Sequence, residues 1–208
     1  MQLPGKRFEN QRRFFPLYGG NVQPFGGRVR QVDAGHIGSF APDPDFCLNQ
    51  LVRVALYQPD IPPNTGAILR LCACLGVPVD IIEPCGFPFS DRQFRRAGMD
   101  YLAGVEIVRH ASWEKFVAMP RSGRLVLLST RAALAYTDFA FRRDDSLLFG
   151  RETAGVPDAV HESADACLKV PLRPGMRSLN VATAAAMVLG EALRQTAAFP
   201  APSVGTEP

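Results

Sequence analysis

The chain has 208 residues, 47% of them hydrophobic, with a formal net charge of +3 and a pI near 8.7, enough for one ordinary core plus an appendage but cramped for two full domains. Its five cysteines show neither a zinc-ligand spacing nor a secreted disulfide pattern, which favours a reducing compartment and no metal. No apolar run is long enough to span a membrane, and the N-terminus lacks the apolar core of a signal peptide, so the expectation is a cytoplasmic protein.

Residues 1–48 are punctuated by Pro4, Pro16, Pro24, Pro42, Pro44 and several Gly, and have no sustained periodicity. They read as a basic Pro/Gly-rich arm. Arg12, Arg13, Arg28 and Arg30 interleave with Phe8, Phe14, Phe15 and Phe25; the first expectation is a plain flexible tail, with phosphate contacts and base stacking on single-stranded RNA as the alternative. A domain follows over 49–198, and then a short tail over 199–208.

Within the domain, Leu51–Tyr57 predicts a strand and Gln58–Pro63 an irregular connection. Asn64 then caps a helix whose buried stripe is Ile68, Leu71, Cys72 and Leu75, ended by Gly76 and Pro78. Arg70 lies off that stripe, with the small residues Gly66, Ala73 and Cys74 as its nearest helical neighbours, which leaves its guanidinium room to reach outward. Val79–Ile82 is the next strand. Ser90–Ala97 is a short helix carrying Arg92, Arg95 and Arg96 on one face, either a solvated stripe or an RNA-phosphate contact. Val105–Val108 predicts a strand, Ser112–Ala118 a helix capped by Ser112, and Leu125–Ser129, Leu147–Phe149 and Ala166–Val170 three more strands, with Pro157 opening a short helix between the last two. Asp144 and Asp145 adjoin a loop and read as a solvated turn. Pro171, Pro174 and Gly175 force a loop before a helix from Val181, whose stripe includes Ala185, Val188, Leu189, Ala192 and Leu193.

Alternating strands and helices predict an α/β domain with a mainly parallel sheet, and ligands bind such sheets beyond the carboxyl ends of the strands. Three loops in that position carry unusual residues: Ser129–Arg131, Gly150–Pro157 and Pro171–Asn180. The phosphate turns of dinucleotide and nucleoside triphosphate sites are absent, as are the serine-hydrolase elbow and any metal spacing among His36, His110 and His161. A site here has to work with Asn, Arg, Glu, Ser and backbone.

Three stretches, Asn64–Arg70, Phe149–Pro157 and Val170–Asn180, have the order and spacing of the SpoU branch of the SPOUT methyltransferases, which the chain resembles from about Val52 to Gln195. The text around Leu56–Gly66, Ile82–Phe87 and Arg95–Tyr101 resembles most the subgroup that modifies the wobble ribose of tRNA. The resemblance implies a C-terminal trefoil knot, S-adenosylmethionine as cofactor, a homodimer, and the tRNA anticodon stem-loop as partner. It also implies that Leu128, Gly150, Val170 and Ser178 surround the cofactor, and that Asn64, Arg70, Glu152 and Asn180 are the polar active-site positions, with Arg70 catalytic. The chain departs from the family pattern in Ala182–Thr183, where relatives often carry Ser-Asn, in Gly190, where relatives commonly carry a tyrosine linked to RNA contact, and in the arm, which has no counterpart.

Overall fold

The structure, a computed structural model, describes residues 52–89 and 105–201. The arm, the helix expected over Ser90–Ala97 with Arg92, Arg95 and Arg96, and most of the tail lie outside the described residues. In chain order the elements are β1 (Arg53–Tyr57), α1 (Pro62–Leu75), β2 (Val79–Ile82), β3 (Ile107–His110), α2 (Trp113–Ala118), β4 (Leu125–Leu128), β5 (Leu134–Ala135), β6 (Ser146–Phe149), α3 (Asp158–Glu162), β7 (Ala166–Lys169) and α4 (Val181–Thr196).

The seven strands among the described residues form one sheet in the order β3-β2-β1-β6-β4-β7-β5, and every pairing is parallel. The apolar runs of β1, β2, β4 and β6 are continuous because both faces of the sheet are covered. On one face Val54, Leu56, Ile81, Leu147 and Phe149 pack against Ile68, Leu69 and Cys72 of α1 and Val188, Leu189 and Ala192 of α4. On the other, Ala55, Tyr57, Ile82, Leu127 and Leu148 pack against Phe116 of α2 and Val160 of α3. All strands run the same way, so the loops after β1, β4, β6 and β7 emerge at a single edge. The strand order reverses beside β1, the place where sheets of this kind hold ligands.

Several boundaries differ from expectation. Helix α1 begins at Pro62, not Asn64: Pro62 and Pro63 fill its first two positions, and Ile61 is the N-cap. The missing proline N–H groups cost nothing there, since the first turn has no intrahelical acceptors for them. Asn64 is thereby freed from capping. Leu69 is fully buried, whereas Leu71 and Leu75 are half-buried. Strand β3 is Ile107–His110 rather than Val105–Val108, because pairing sets Val79 opposite Ile107 and Ile82 opposite His110.

The pair at 144–145 is not a solvated turn. Asp145 is completely buried; it accepts from Arg124 Nε at 2.9 Å and Nη2 at 2.8 Å, and from the Arg142 backbone N–H at 2.7 Å. It ties the start of β6 to the start of β4. The helix from Val181 is as expected, with the Asn180 carboxamide oxygen accepting from Ala182 N–H at 2.8 Å and Thr183 N–H at 3.3 Å. Among the described residues no helix is long and apolar enough to cross a membrane, and no group of His, Cys, Asp and Glu converges as a metal site.

Candidate active site

Three loops meet beyond the carboxyl edge of the sheet, joined by side chains far apart in sequence. Freed from capping, Asn64 donates through Nδ2 to Glu152 Oε1 at 3.2 Å, and its Oδ1 accepts from Asn180 Nδ2 at 2.8 Å. Asn180 still caps α4 through its oxygen, so one side chain fixes the helix start and also reaches across to α1. The chain Glu152–Asn64–Asn180 therefore links the β6 loop, the first turn of α1 and the start of α4.

Asp60, which sequence reasoning missed, anchors the other side of Glu152. Its backbone N–H donates to Glu152 Oε2 at 3.1 Å, while the Glu152 N–H donates to Asp60 Oδ1 at 3.2 Å. The Thr153 hydroxyl donates to Asp60 Oδ2, and Arg151 Nε lies 3.6 Å from the same oxygen. That Nε is buried and has no hydrogen-bond partner. The ion pair with Asp60 is its compensation for lost water. A carboxylate in the loop directly after a strand was the available signal, masked by the surrounding run Pro59-Asp60-Ile61-Pro62-Pro63, which reads as connection only.

The two carboxyls are driven apart electrostatically. Asp60 is the ionised member: its contact with the Glu152 side chain, aided against burial by the Thr153 hydroxyl, the Glu152 N–H and Arg151, holds it down to about 2. Loss of water pushes Glu152 up, and its contact with Asp60 adds to this, over the opposing N–H donors of Asp60 and Asn64.

Two glycines keep the loops close. A Cβ on Gly150 would lie 2.7 Å from the carbonyl carbon of Gly155, and one on Gly86 would lie 2.7 Å from Asp60 Cβ. Gly155 also has φ +67°, and its N–H and C=O exchange hydrogen bonds with Arg151 at 2.8 and 3.0 Å. The β6 loop is thus a closed turn that presents Glu152.

Of the positions expected around a cofactor, Leu128 ends β4, Gly150 follows β6, Val170 follows β7, and Ser178 is exposed in the loop before α4. All four belong to the same edge. An open cavity of about 400 Å³ lies at the loops after β4 and β7, lined by Thr130, Lys169, Val170, Pro171, Leu172, Met176 and Arg177, so that of the four expected positions Val170 is on its wall and Leu128, Gly150 and Ser178 are not. Its size is that of small-molecule sites, and its lining mixes the apolar Val170, Pro171, Leu172 and Met176 with the polar Thr130, Lys169 and Arg177, a combination compatible with both faces and edges of a purine nucleoside. The residues present therefore fit an adenosine-containing ligand. Arg70 is exposed on α1. It stands six residues beyond Asn64 on the same helix, roughly 9 Å along the helix axis.

A profile of the SpoU rRNA Methylase family matches residues 51–190. The chain belongs to that family. A tRNA (cytidine(34)-2'-O)-methyltransferase of Beijerinckia indica is 68% identical over 148 residues, which are 70% of this chain and 92% of the relative. The enzyme of the same name from Escherichia coli K12 is 38% identical over 147 residues, 70% of this chain and 94% of that one. Among solved structures, one described as giving insight into the 2-OH methylation of C/U34 on tRNA is similar with a TM-score of 0.65 and 39% identity, covering 70% of this chain and 95% of its own. The methyltransferase AviRb of Streptomyces viridochromogenes, in complex with the cofactor AdoMet, is similar with a TM-score of 0.62 and 26% identity, covering 71% of this chain and 61% of its own.

Proposed function

We propose that this chain is an S-adenosylmethionine-dependent methyltransferase that methylates the 2'-hydroxyl of the wobble nucleotide, cytidine or modified uridine at position 34, in the anticodon stem-loop of tRNA. It acts in the cytoplasm as a homodimer, and the trefoil knot implied by the family resemblance belongs to this reading. The observation that carries it is the Glu152–Asn64–Asn180 chain joining three loops at the carboxyl edge of the sheet, in a sequence 68% identical over 148 residues to an enzyme named for that reaction.

S-adenosylmethionine, when bound, supplies an electrophilic methyl group on a sulfonium. The apolar wall of the cavity and the backbone at Leu128, Gly150, Val170 and Ser178 hold the purine and exclude water from it. Asn64, Glu152 and Asn180 lock the loops so that the ribose hydroxyl can lie in line at near-attack distance. A guanidinium with a pKa above about 12 is a poor base. Arg70 instead orients the hydroxyl or an adjoining phosphate and stabilises the charge that develops on oxygen. In this reading the site is shared, with Arg70 of one subunit completing the loops of the other.

The test is incubation with radiolabelled S-adenosylmethionine and tRNA lacking the modification at position 34, followed by nucleotide mapping. Label on the wobble ribose is expected. Label on another tRNA position or on rRNA would move the target, and cofactor binding without any transfer would make the chain a non-catalytic RNA-binding protein.

A further inference from the structure

Lys169 and Arg177 both line the cavity, and among the described residues neither takes part in an ion pair. Several other described arginines are ion-paired, Arg53 with Asp80, Arg109 with Glu83, Arg124 with Asp145 and Arg131 with Asp158. From Lys169 to Gly190 the sequence contains Lys169, Arg173 and Arg177 and no acid at all. The cavity therefore carries positive charge with nothing in the described protein to offset it.

That charge is the wrong sign for the cofactor alone. S-adenosylmethionine has a sulfonium, an ammonium and one carboxylate, a net single positive charge, whereas the demethylated product S-adenosylhomocysteine is neutral. Two neighbouring cations oppose binding of the substrate form relative to the product form. An RNA backbone carries one negative charge per nucleotide and reverses that balance when it lies against them.

We propose that Lys169 and Arg177 form a site for backbone phosphate of the substrate RNA at the rim of the cofactor cavity, so that RNA and S-adenosylmethionine bind with positive coupling. The inference rests on the proposed function for the identity of the two ligands. By linkage the effect is reciprocal: whatever factor RNA adds to cofactor affinity, the cofactor adds to RNA affinity. The coupling discriminates between cofactor forms, because the neutral product gains little from the phosphate. The free enzyme is then not driven toward the charged cofactor until RNA is in place, and release of the product from the RNA complex is not opposed by lost attraction.

Equilibrium binding of S-adenosylmethionine and of S-adenosylhomocysteine to the full chain, each with and without anticodon stem-loop RNA, tests this. RNA is expected to tighten S-adenosylmethionine about tenfold, within the usual range of coupling between sites, and to leave S-adenosylhomocysteine nearly unchanged. In the double variant K169Q/R177Q, S-adenosylmethionine should bind the free protein at least as tightly as before, which also verifies folding. The coupling should vanish, and the salt slope of RNA binding should fall by about 1.4, two single-strand phosphate contacts. The charge-keeping variant R177K should retain the coupling. Loss of cofactor affinity in the free double variant would overturn the proposal, since the cations would then be holding the cofactor's carboxylate. An unchanged RNA salt slope would overturn it as well. Methyl label on a nucleotide other than 34 with the coupling intact would displace the target alone, and wobble methylation without coupling would displace this inference alone.

Discussion

Asp60 and Glu152 are held face to face by reciprocal backbone-to-carboxylate hydrogen bonds, at 3.1 and 3.2 Å, so neither loop can move without releasing the other. Replacing Asp60 by Asn leaves the shape and removes the charge. Arg151 then loses its counter-ion, and Glu152 loses the neighbour that helps push its carboxyl up. The expected result is a fall in kcat of up to roughly 10²-fold, the scale of a small misplacement of reacting groups, with cofactor affinity retained. If the loss of activity tracks the titration of Glu152, the acid limb of the pH–rate profile should also move to lower pH in D60N. An unshifted limb with full activity would remove Asp60 from the site. Asn64, Glu152 and Asn180 stood out in the sequence because each sits in a motif of characteristic order, and the structure brings them into contact. Asp60 was not, because its partner is 92 residues away and its proline-rich surroundings carry no periodicity. Asp145 escaped for the same reason, since a carboxylate in a turn looks solvated until Arg124, just before β4, is placed beside it.

The edge made by β1, β2 and β3 depends on a polar cluster inside an otherwise apolar layer. Asp80 on β2 accepts from Arg53 Nε on β1 at 2.9 Å and contacts His110 Nε2 on β3 at 2.8 Å, while the His110 ring stands edge-on to Phe116 of α2. Burial pushes the Asp80 carboxyl up, but the hydrogen bonds from His110 and Arg53 outweigh it and leave the group below the usual carboxylate range. A depressed folded value means that the contribution to stability is complete above the unfolded pKa, about 3.9, and is lost as pH falls through the lower folded value. Asp80→Asn should therefore cost about 3 kcal/mol near neutral pH, the lower end for breaking a buried pair. Urea unfolding at pH 7 and at pH 3 should show this gap narrowing in acid. A gap independent of pH would mean that shape, not charge, is what Asp80 provides. This cluster also explains why β3 runs on to His110 where apolar patterning stopped at Val108. Most other elements could be read directly: Ser112 caps α2 as its side chain suggests, accepting from the Lys115 N–H at 3.4 Å, and α4 follows its stripe. The two residues of β5 are too few to carry a pattern, and exist because β7 offers them a partner.

Hydrogen bonds gather Asn64, Glu152 and Asn180 at the sheet's carboxyl edge, and Arg70 is exposed further along α1. Close to it in the fold, α4 packs on α1 and turns outward Thr183, Ala186 and Met187, with Met187 40% exposed. Small side chains on an open helical face permit close approach of a second copy, and a two-fold arrangement would offer each subunit's Arg70 to its neighbour. The consequence is measurable by complementation. Arg70→Ala and Glu152→Gln are each expected to abolish turnover as homodimers. A heterodimer pairing them, purified through two different tags, contains one site in which an intact Glu152 meets an intact Arg70 and one site lacking both. It should show about half the activity of the unsubstituted dimer, the share expected when one of two symmetric sites survives. If Arg70 serves its own subunit, each subunit of the heterodimer carries one lesion, and the mixture stays as inactive as its parents. Recovery of activity would thus assign Arg70 across the interface and make dimerisation a condition of catalysis. Continued inactivity in a verified heterodimer would require α1 to bring Arg70 to the loops within a single chain.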